Sequence, residues 1–132
     1  MKMLADTGAL LAFHVRRDQH HGRAVAFLRE HPEAQFVLTD LILAELVTRA
    51  RARRSAADAA DAGRKYLASR RFKVLFVDAP LVTSGLARLE QFADKRLSLT
   101  DCVSFEVMDR LGLKKAFTFD RDFRDCGYDV VP

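Results

Sequence analysis

The sequence predicts a single α/β domain built on a mostly parallel sheet. Five short β-rich runs alternate with six helical patterns along 132 residues. None of the runs shows a clean in/out alternation, as expected of strands covered on both faces. No Pro-, Gly- or Ser-rich linker, internal repeat or low-complexity tract breaks that order, so one domain is expected over residues 1–132.

The elements follow in order. Lys2–Ala5 reads as the first strand, and Asp6, Thr7 and Gly8 turn the chain into a helix over Ala9–Val15. A second helix over His21–Arg29 precedes a strand at Phe36–Leu38. Leu41–Arg53 and Ala56–Ser69 are helical, separated at Ser55, a good N-cap residue. Lys73–Val77 (KVLFV) is the third strand; Asp78, with Pro80 two residues on, then starts a helix over Leu81–Phe92. Thr100 before Asp101 marks the start of Asp101–Leu111, which Gly112 ends. Ala116–Phe119 and Asp129–Val131 complete the sheet. Crossovers in such a sheet are right-handed, and ligands bind outside the carboxyl ends of its strands.

Composition bounds the function. A 14.9 kDa chain buries about two-thirds of its extended surface, enough for a core without staples. With 49% hydrophobic and 30% charged residues it is a globular rather than a disordered chain. No apolar run approaches the ~20 residues of a membrane span, and Asp6 interrupts the N-terminus before a signal-peptide core could form. Cys102 and Cys126 fit no metal spacing and are too few for a disulfide framework. A cytoplasmic protein with no membrane partner is expected. The formal net charge is +4, but nine basic residues between Arg49 and Lys73 face only Asp58 and Asp61. That stretch either attracts a polyanion such as nucleic acid or is a solvated helix face.

The informative residues are carboxylates in unusual places. Asp6 ends the first strand, where it either caps a helix or serves a site. Glu45 stands alone in the apolar run Leu41–Val47. A carboxylate at the edge of a core needs a cation, supplied either by a ligand or by Arg49 one turn on. Asp101 opens an apolar helix whose dipole favours the ionised acid, with Ser104 one turn further. Asp120 closes the fourth strand and Asp122 follows it; the plain alternative is a solvated turn. Asp40 and Asp78 also follow strands and read as helix caps. His14, His20, His21 and His31 show no ligand spacing and read as surface residues, and Cys102 as a small core residue. Acids gathered from distant positions at one sheet edge repel one another, and a hard divalent cation relieves that repulsion. All-oxygen ligation favours Mg²⁺ or Mn²⁺ over zinc.

MLADTGALLAF, LILAEL, LSLTDCVSFEVMDRLGLKKAFTFDRDF and the final YDVVP together resemble the PIN-domain ribonucleases, and among them the VapC-type toxins of type II toxin–antitoxin modules. The resemblance implies a three-layer α/β/α domain with a five-stranded parallel sheet in the order 3-2-1-4-5. It implies an acidic cluster at Asp6, Glu45, Asp101 and Asp120, with Asp122 a fifth candidate metal ligand. The family's small polar helpers fall on Thr7, Thr100 or Ser104, and Thr118. The implied activity is endoribonucleolytic, with Mg²⁺ or Mn²⁺ as cofactor and a cognate antitoxin as partner. Arg49, Arg53, Arg54 and Lys65 are then expected to guide the RNA backbone. A homodimer is expected through Val25, Leu28, Leu43 and Val47 on the second and third helices. A non-catalytic RNA-binding module of the same fold is the alternative; it has no need of Glu45 inside an apolar helix. A haloacid-dehalogenase-like phosphatase needs a second acid where Gly8 stands, and a receiver domain needs paired acids that are absent here.

Overall fold

The computed structural model describes all of residues 1–132. Its elements run β1 (Lys2–Ala5), α1 (Thr7–His14), α2 (His21–Glu30), β2 (Gln35–Thr39), α3 (Asp40–Arg53), α4 (Ala56–Ala68) and β3 (Phe72–Leu75). Then come α5 (Ala79–Gln91), α6 (Leu99–Leu111), β4 (Lys115–Phe117), α7 (Arg121–Asp125) and β5 (Asp129–Val131). All five strands pair in parallel, in the order β3-β2-β1-β4-β5. From β1 the chain moves outward through β2 to β3, then returns past β1 to β4 and β5. Right-handed crossovers therefore put α1–α4 on one face of the sheet and α5–α7 on the other. The packing agrees: α1 touches α2 and α3, α3 touches α4, and α5 lies along α6.

The two faces share one core. Met3, Leu4, Ala5 and Phe117 in the central strands are wholly buried, with Phe36 behind them and Phe105 and Phe123 on the other face. This is why β1 and β4 read as continuous apolar runs. The α5–α6 contact is close because position 85 is glycine: a Cβ there would stand 2.6 Å from Val103 Cγ2. No helix is long and apolar enough to cross a membrane.

Ser55 and Asp78 cap their helices as expected, accepting from Asp58 N and Leu81 N, and Gly112 ends α6 in the left-handed region at φ 66°. Four local expectations are corrected. The cap of α6 is Ser98, not Thr100, so the helix begins at Leu99. Thr39 caps α3, while Asp40 instead accepts the Val77 N–H at 2.9 Å, which draws the chain out of the β3 ladder two residues early. β4 runs over Lys115–Phe117 and stops short of Phe119, although the Thr118 N–H still donates to the Val131 carbonyl at 3.0 Å. Residues Arg121–Asp125 form a helix that sequence periodicity did not suggest, since five residues are too few to show a repeat. The histidines are half-buried rather than on the open surface. His14 Nε2 meets Tyr66 Oη at 2.8 Å, His21 Nδ1 meets the Ala12 carbonyl at 2.8 Å, and His20 stacks on Phe119.

Candidate active site

β1 and β4 are neighbours whose chains leave in opposite directions, and the crevice between their carboxyl ends is where ligands sit in open parallel sheets. Asp6 is the first residue beyond β1; its N–H donates to the Phe117 carbonyl, which ties it to the end of β4. Its side chain does not cap α1. It turns inward and accepts from Thr118 Oγ1 at 3.0 Å, and only 7% of the residue is exposed. Burial, then the charges of Asp101 and Asp120, push its carboxyl up to about 7, against hydrogen bonds from Thr118 and the Thr7 backbone.

Asp101 arrives from the first turn of α6. It forms a reciprocal cap with Ser98: Ser98 Oγ accepts from Asp101 N, and Asp101 Oδ2 accepts from Ser98 N. Burial raises the Asp101 carboxyl, the Ser98 bonds oppose that, and Asp120 and Glu45 add to it. Asp6, Asp101 and Asp120 are thus within electrostatic reach of one another, and Glu45 is within reach of Asp101. Asp122 is set apart: its N–H caps onto Asp120 Oδ1, and its charge bears on Cys126 rather than on Asp6 or Asp101. Glu45 also meets the plain alternative raised for it, lying 3.7 Å from Arg49 Nη2.

The polar helpers divide. Thr118 Oγ1 donates to Asp6 and accepts from Asp120 N, joining the two strand-end acids. The Thr7 hydroxyl is buried with no partner at all. Ser104 spends its proton on the Thr100 carbonyl inside α6, and Thr100 lines a cavity of about 370 Å³ with Leu41, Ala44, Glu45, Thr48 and Arg49.

No group of three or more His, Cys, Asp or Glu side chains is close enough together to hold a metal ion as it stands. The donor set still fits a hard divalent cation: carboxylate oxygens with no imidazole or thiolate among them, two of the acids held above their ordinary range, and an orphaned hydroxyl beside them.

The four basic residues expected to guide RNA divide between two places. Arg53, Arg54 and Lys65 line a groove of about 960 Å³ with His14, Arg16, Arg17 and His21, whereas Arg49 belongs to the Glu45 cavity. All four expected guides meet carboxylates: Arg49 with Glu45, Arg53 with Asp18, Arg54 with Asp58, and Lys65 with Asp61. Arg71 is a structural clip, donating to the carbonyls of Leu28, His31 and Ala34. Sequence reasoning missed Arg23, Arg121 and Arg124, which line a smaller cavity with Asp120. The signal available was the pair of arginines interleaved with acids in Asp120–Arg124. On the expected dimer face, Leu28 is buried within the subunit, and Val25, Leu43 and Val47 are half-buried.

A parallel 3-2-1-4-5 sheet with acids gathered at its central carboxyl edge defines the PIN class of domain. The chain belongs to that family: the PIN domain model matches residues 3–127. Ten chains of known structure match this one. Among them is the crystal structure of Mycobacterium tuberculosis VapC20, a sarcin-ricin loop cleaving toxin, with TM-score 0.91 and 26% identity, covering 98% of this chain and 99% of that one. This bears out the resemblance to VapC-type toxins. No curated protein matches in sequence.

Proposed function

We propose that the protein is a Mg²⁺- or Mn²⁺-dependent endoribonuclease, the toxin of a type II toxin–antitoxin pair acting in the cytoplasm. The observation that carries this reading is Asp6, a buried carboxylate raised to about 7 by burial and its acidic neighbours, with no cation of the chain's own beside it. Asp6, Asp101 and Asp120 would hold the ion, and Glu45 a second ion or a bound water. When bound, a divalent cation offsets the phosphate's charge and lowers the pKa of an attacking water.

The chain's own residues do the rest. Thr118 fixes the Asp6 carboxylate by donating to Oδ2, the Thr7 backbone adds a second bond to it, and the Ser98 cap holds Asp101 by Oδ2. The Thr7 hydroxyl is free to donate into the pocket. The groove of Arg16, Arg17, Arg53, Arg54 and Lys65 lies beyond the ends of α1 and α3, about 12 Å along α3 from Glu45. It would steer the RNA backbone towards the crevice. Cleavage would leave a 5′-phosphate and a 3′-hydroxyl. An antitoxin would silence the site by placing an arginine among the acids, supplying charge without Lewis acidity. Association into a homodimer would cover Val25, Leu43 and Val47; a strict monomer in sedimentation at tens of micromolar would overturn that part.

The test is cleavage of total RNA by purified protein with Mg²⁺, with Mn²⁺ and with chelator. Metal-dependent cleavage that vanishes in Asp6→Asn is the expected result. Cleavage that persists in chelator overturns the metal claim. RNA binding without cleavage by the wild-type chain leaves only a binding module.

A further inference from the structure

The acids lie between two cavities of unlike chemistry. The one holding Glu45 and Thr100 has an apolar floor of Leu41 and Ala44, and its single cation, Arg49, is paired with Glu45. The other, about 240 Å³, contains Thr118 and Asp120 and is lined by Arg23, Arg121 and Arg124. Arg121 and Arg124 are within ion-pair distance of no side-chain carboxylate, although Asp120 shares their cavity, whereas Arg23 is held by the oxygen of Pro132, which also lines it. Arg23 makes one hydrogen bond, to the Pro132 main-chain oxygen at 3.1 Å, and the other two guanidinium groups make none. They also come from separate elements, Arg23 from α2 and the others from α7, so the convergence is tertiary rather than a run in one helix. One wall is aromatic: His20 stacks on Phe119 with ring centroids 4.2 Å apart and planes 8° apart, and the Arg23 guanidinium stands 5.2 Å from the Phe119 centroid.

We propose that this cavity is the subsite for one nucleotide flanking the scissile phosphate in single-stranded RNA. Its phosphate sits among Arg23, Arg121 and Arg124, and its base lies against the His20–Phe119 pair. The proposal rests on the ribonuclease reading above and adds the side on which the substrate is gripped. Planar guanidinium forks suit phosphate oxygens; Arg121 and Arg124 sacrifice no existing partner on binding, and Arg23 gives up only its bond to the Pro132 oxygen. Arg53, Arg54 and Lys65, by contrast, must each release an acid. Stacking on an aromatic pair tolerates any base, so the subsite sets position more than sequence. The volume is below the ~300 Å³ of typical small-ligand pockets, which suits one nucleotide and not two.

The experiment uses the full chain carrying Asp6→Asn, so that binding is read without turnover. The probe is a labelled single-stranded RNA scanned with neutral methylphosphonates, one position at a time. One position should weaken binding about three- to tenfold. In Arg121→Ala/Arg124→Ala, and separately in Arg23→Ala, binding should be weaker by a similar factor and indifferent to that same position. The dependence of log affinity on log salt should fall by about 0.7 for each phosphate left without its arginine. An abasic nucleotide there should cost the parent roughly fivefold and His20→Ala little. If the methylphosphonate effect persists unchanged in both arginine variants, the subsite is overturned. Metal-dependent cleavage by the wild type with no such coupling overturns this proposal alone; coupling without cleavage overturns the nuclease reading alone.

Discussion

Helix α6 carries acids at both ends, and the two ends behave oppositely. Asp101, in its first turn, joins Asp6, Asp120 and Glu45 in a crevice where burial and mutual repulsion hold Asp6 and Asp101 above the ordinary carboxylate range. In the last turn, Asp109 stands with Glu106, and both meet Arg88 of α5, at 2.6 and 3.1 Å. Tyr128 Oη donates to Asp109 Oδ1 at 2.7 Å and accepts from Arg88 Nη1 at 2.9 Å. Burial alone would raise Asp109; the Tyr128 and Arg88 hydrogen bonds outweigh it and hold the carboxyl low. Both are acid clusters on one helix, but in the first only Glu45 has a cation from the chain, Arg49, while Asp6, Asp101 and Asp120 have none. The cluster around Arg88 is complete as a structural joint between α5, α6 and Tyr128. The crevice, under the function proposed above, would be completed by a bound cation.

The sharpest way to break that distinction is to remove charge from the crevice. Asp6→Asn should lower RNA cleavage at least ~100-fold, because the substitution removes a ligand rather than a group that supports one. Asp78→Ala, at the far end of the crossover, should cost about 1 kcal/mol of helix capping and leave turnover of the folded protein unchanged. Loss of activity in the Asp78 variant alone, with Asp6→Asn still active, would mean that the site lies at the other edge of the sheet.

The reciprocal change belongs to the joint. Arg88→Leu leaves Glu106 and Asp109 without their cation and should destabilise the fold by about 2–3 kcal/mol in denaturant unfolding. Cleavage per folded molecule should be retained. If instead stability holds and activity falls, the joint is part of the site.

How far the two clusters can be read in the sequence differs for physical reasons. Asp6, Glu45, Asp101 and Asp120 are legible because a charge at a strand end or inside an apolar helix is anomalous in one dimension. The strand order follows from a family resemblance that the fold bears out. Arg88, Glu106, Asp109 and Tyr128 look like ordinary surface residues, since what unites them is the close approach of α5 to α6 at Gly85. The unpaired state of Arg121 and Arg124 is likewise invisible, whereas a run such as Arg49–Arg54 is conspicuous yet largely neutralised by acids one turn away or across the groove.

pH should separate the clusters without any mutation. The folded state holds a proton on Asp6 up to about 7, while the unfolded chain releases it near 4, so this group's contribution makes the metal-free protein less stable as pH rises through that interval. Asp109, held low, contributes stability that is present above its ordinary value and lost on acidification through its folded value. Thermal melts in chelator should therefore show Asp6→Asn gaining on the wild type between about pH 4 and pH 7, with divalent metal closing the gap. Parallel curves for the two proteins would show that Asp6 is an ordinary acid.

The smallest effect tests whether one carboxylate can serve both as cap and as ligand. Asp101 commits Oδ2 to the Ser98 N–H and receives the support of Ser98 Oγ at its own N–H, so its orientation in the crevice is borrowed from the start of α6. Ser98→Ala removes the hydroxyl and should cost about 1 kcal/mol of stability. Ser98→Gly, a better cap than alanine, should cost only a few tenths of a kcal/mol. Both variants keep the main-chain donor to Oδ2 but lack the acceptor that pins the first turn. If the cap orients the ligand, both should need several-fold more Mn²⁺ for half-maximal cleavage, with the same rate at saturation, because the ligand remains and only its preorganisation is gone. If the metal requirement is unchanged while alanine alone lowers stability, Ser98 serves the helix only. The two roles of Asp101 would then be independent, and the crevice would owe its geometry to β1 and β4 rather than to α6.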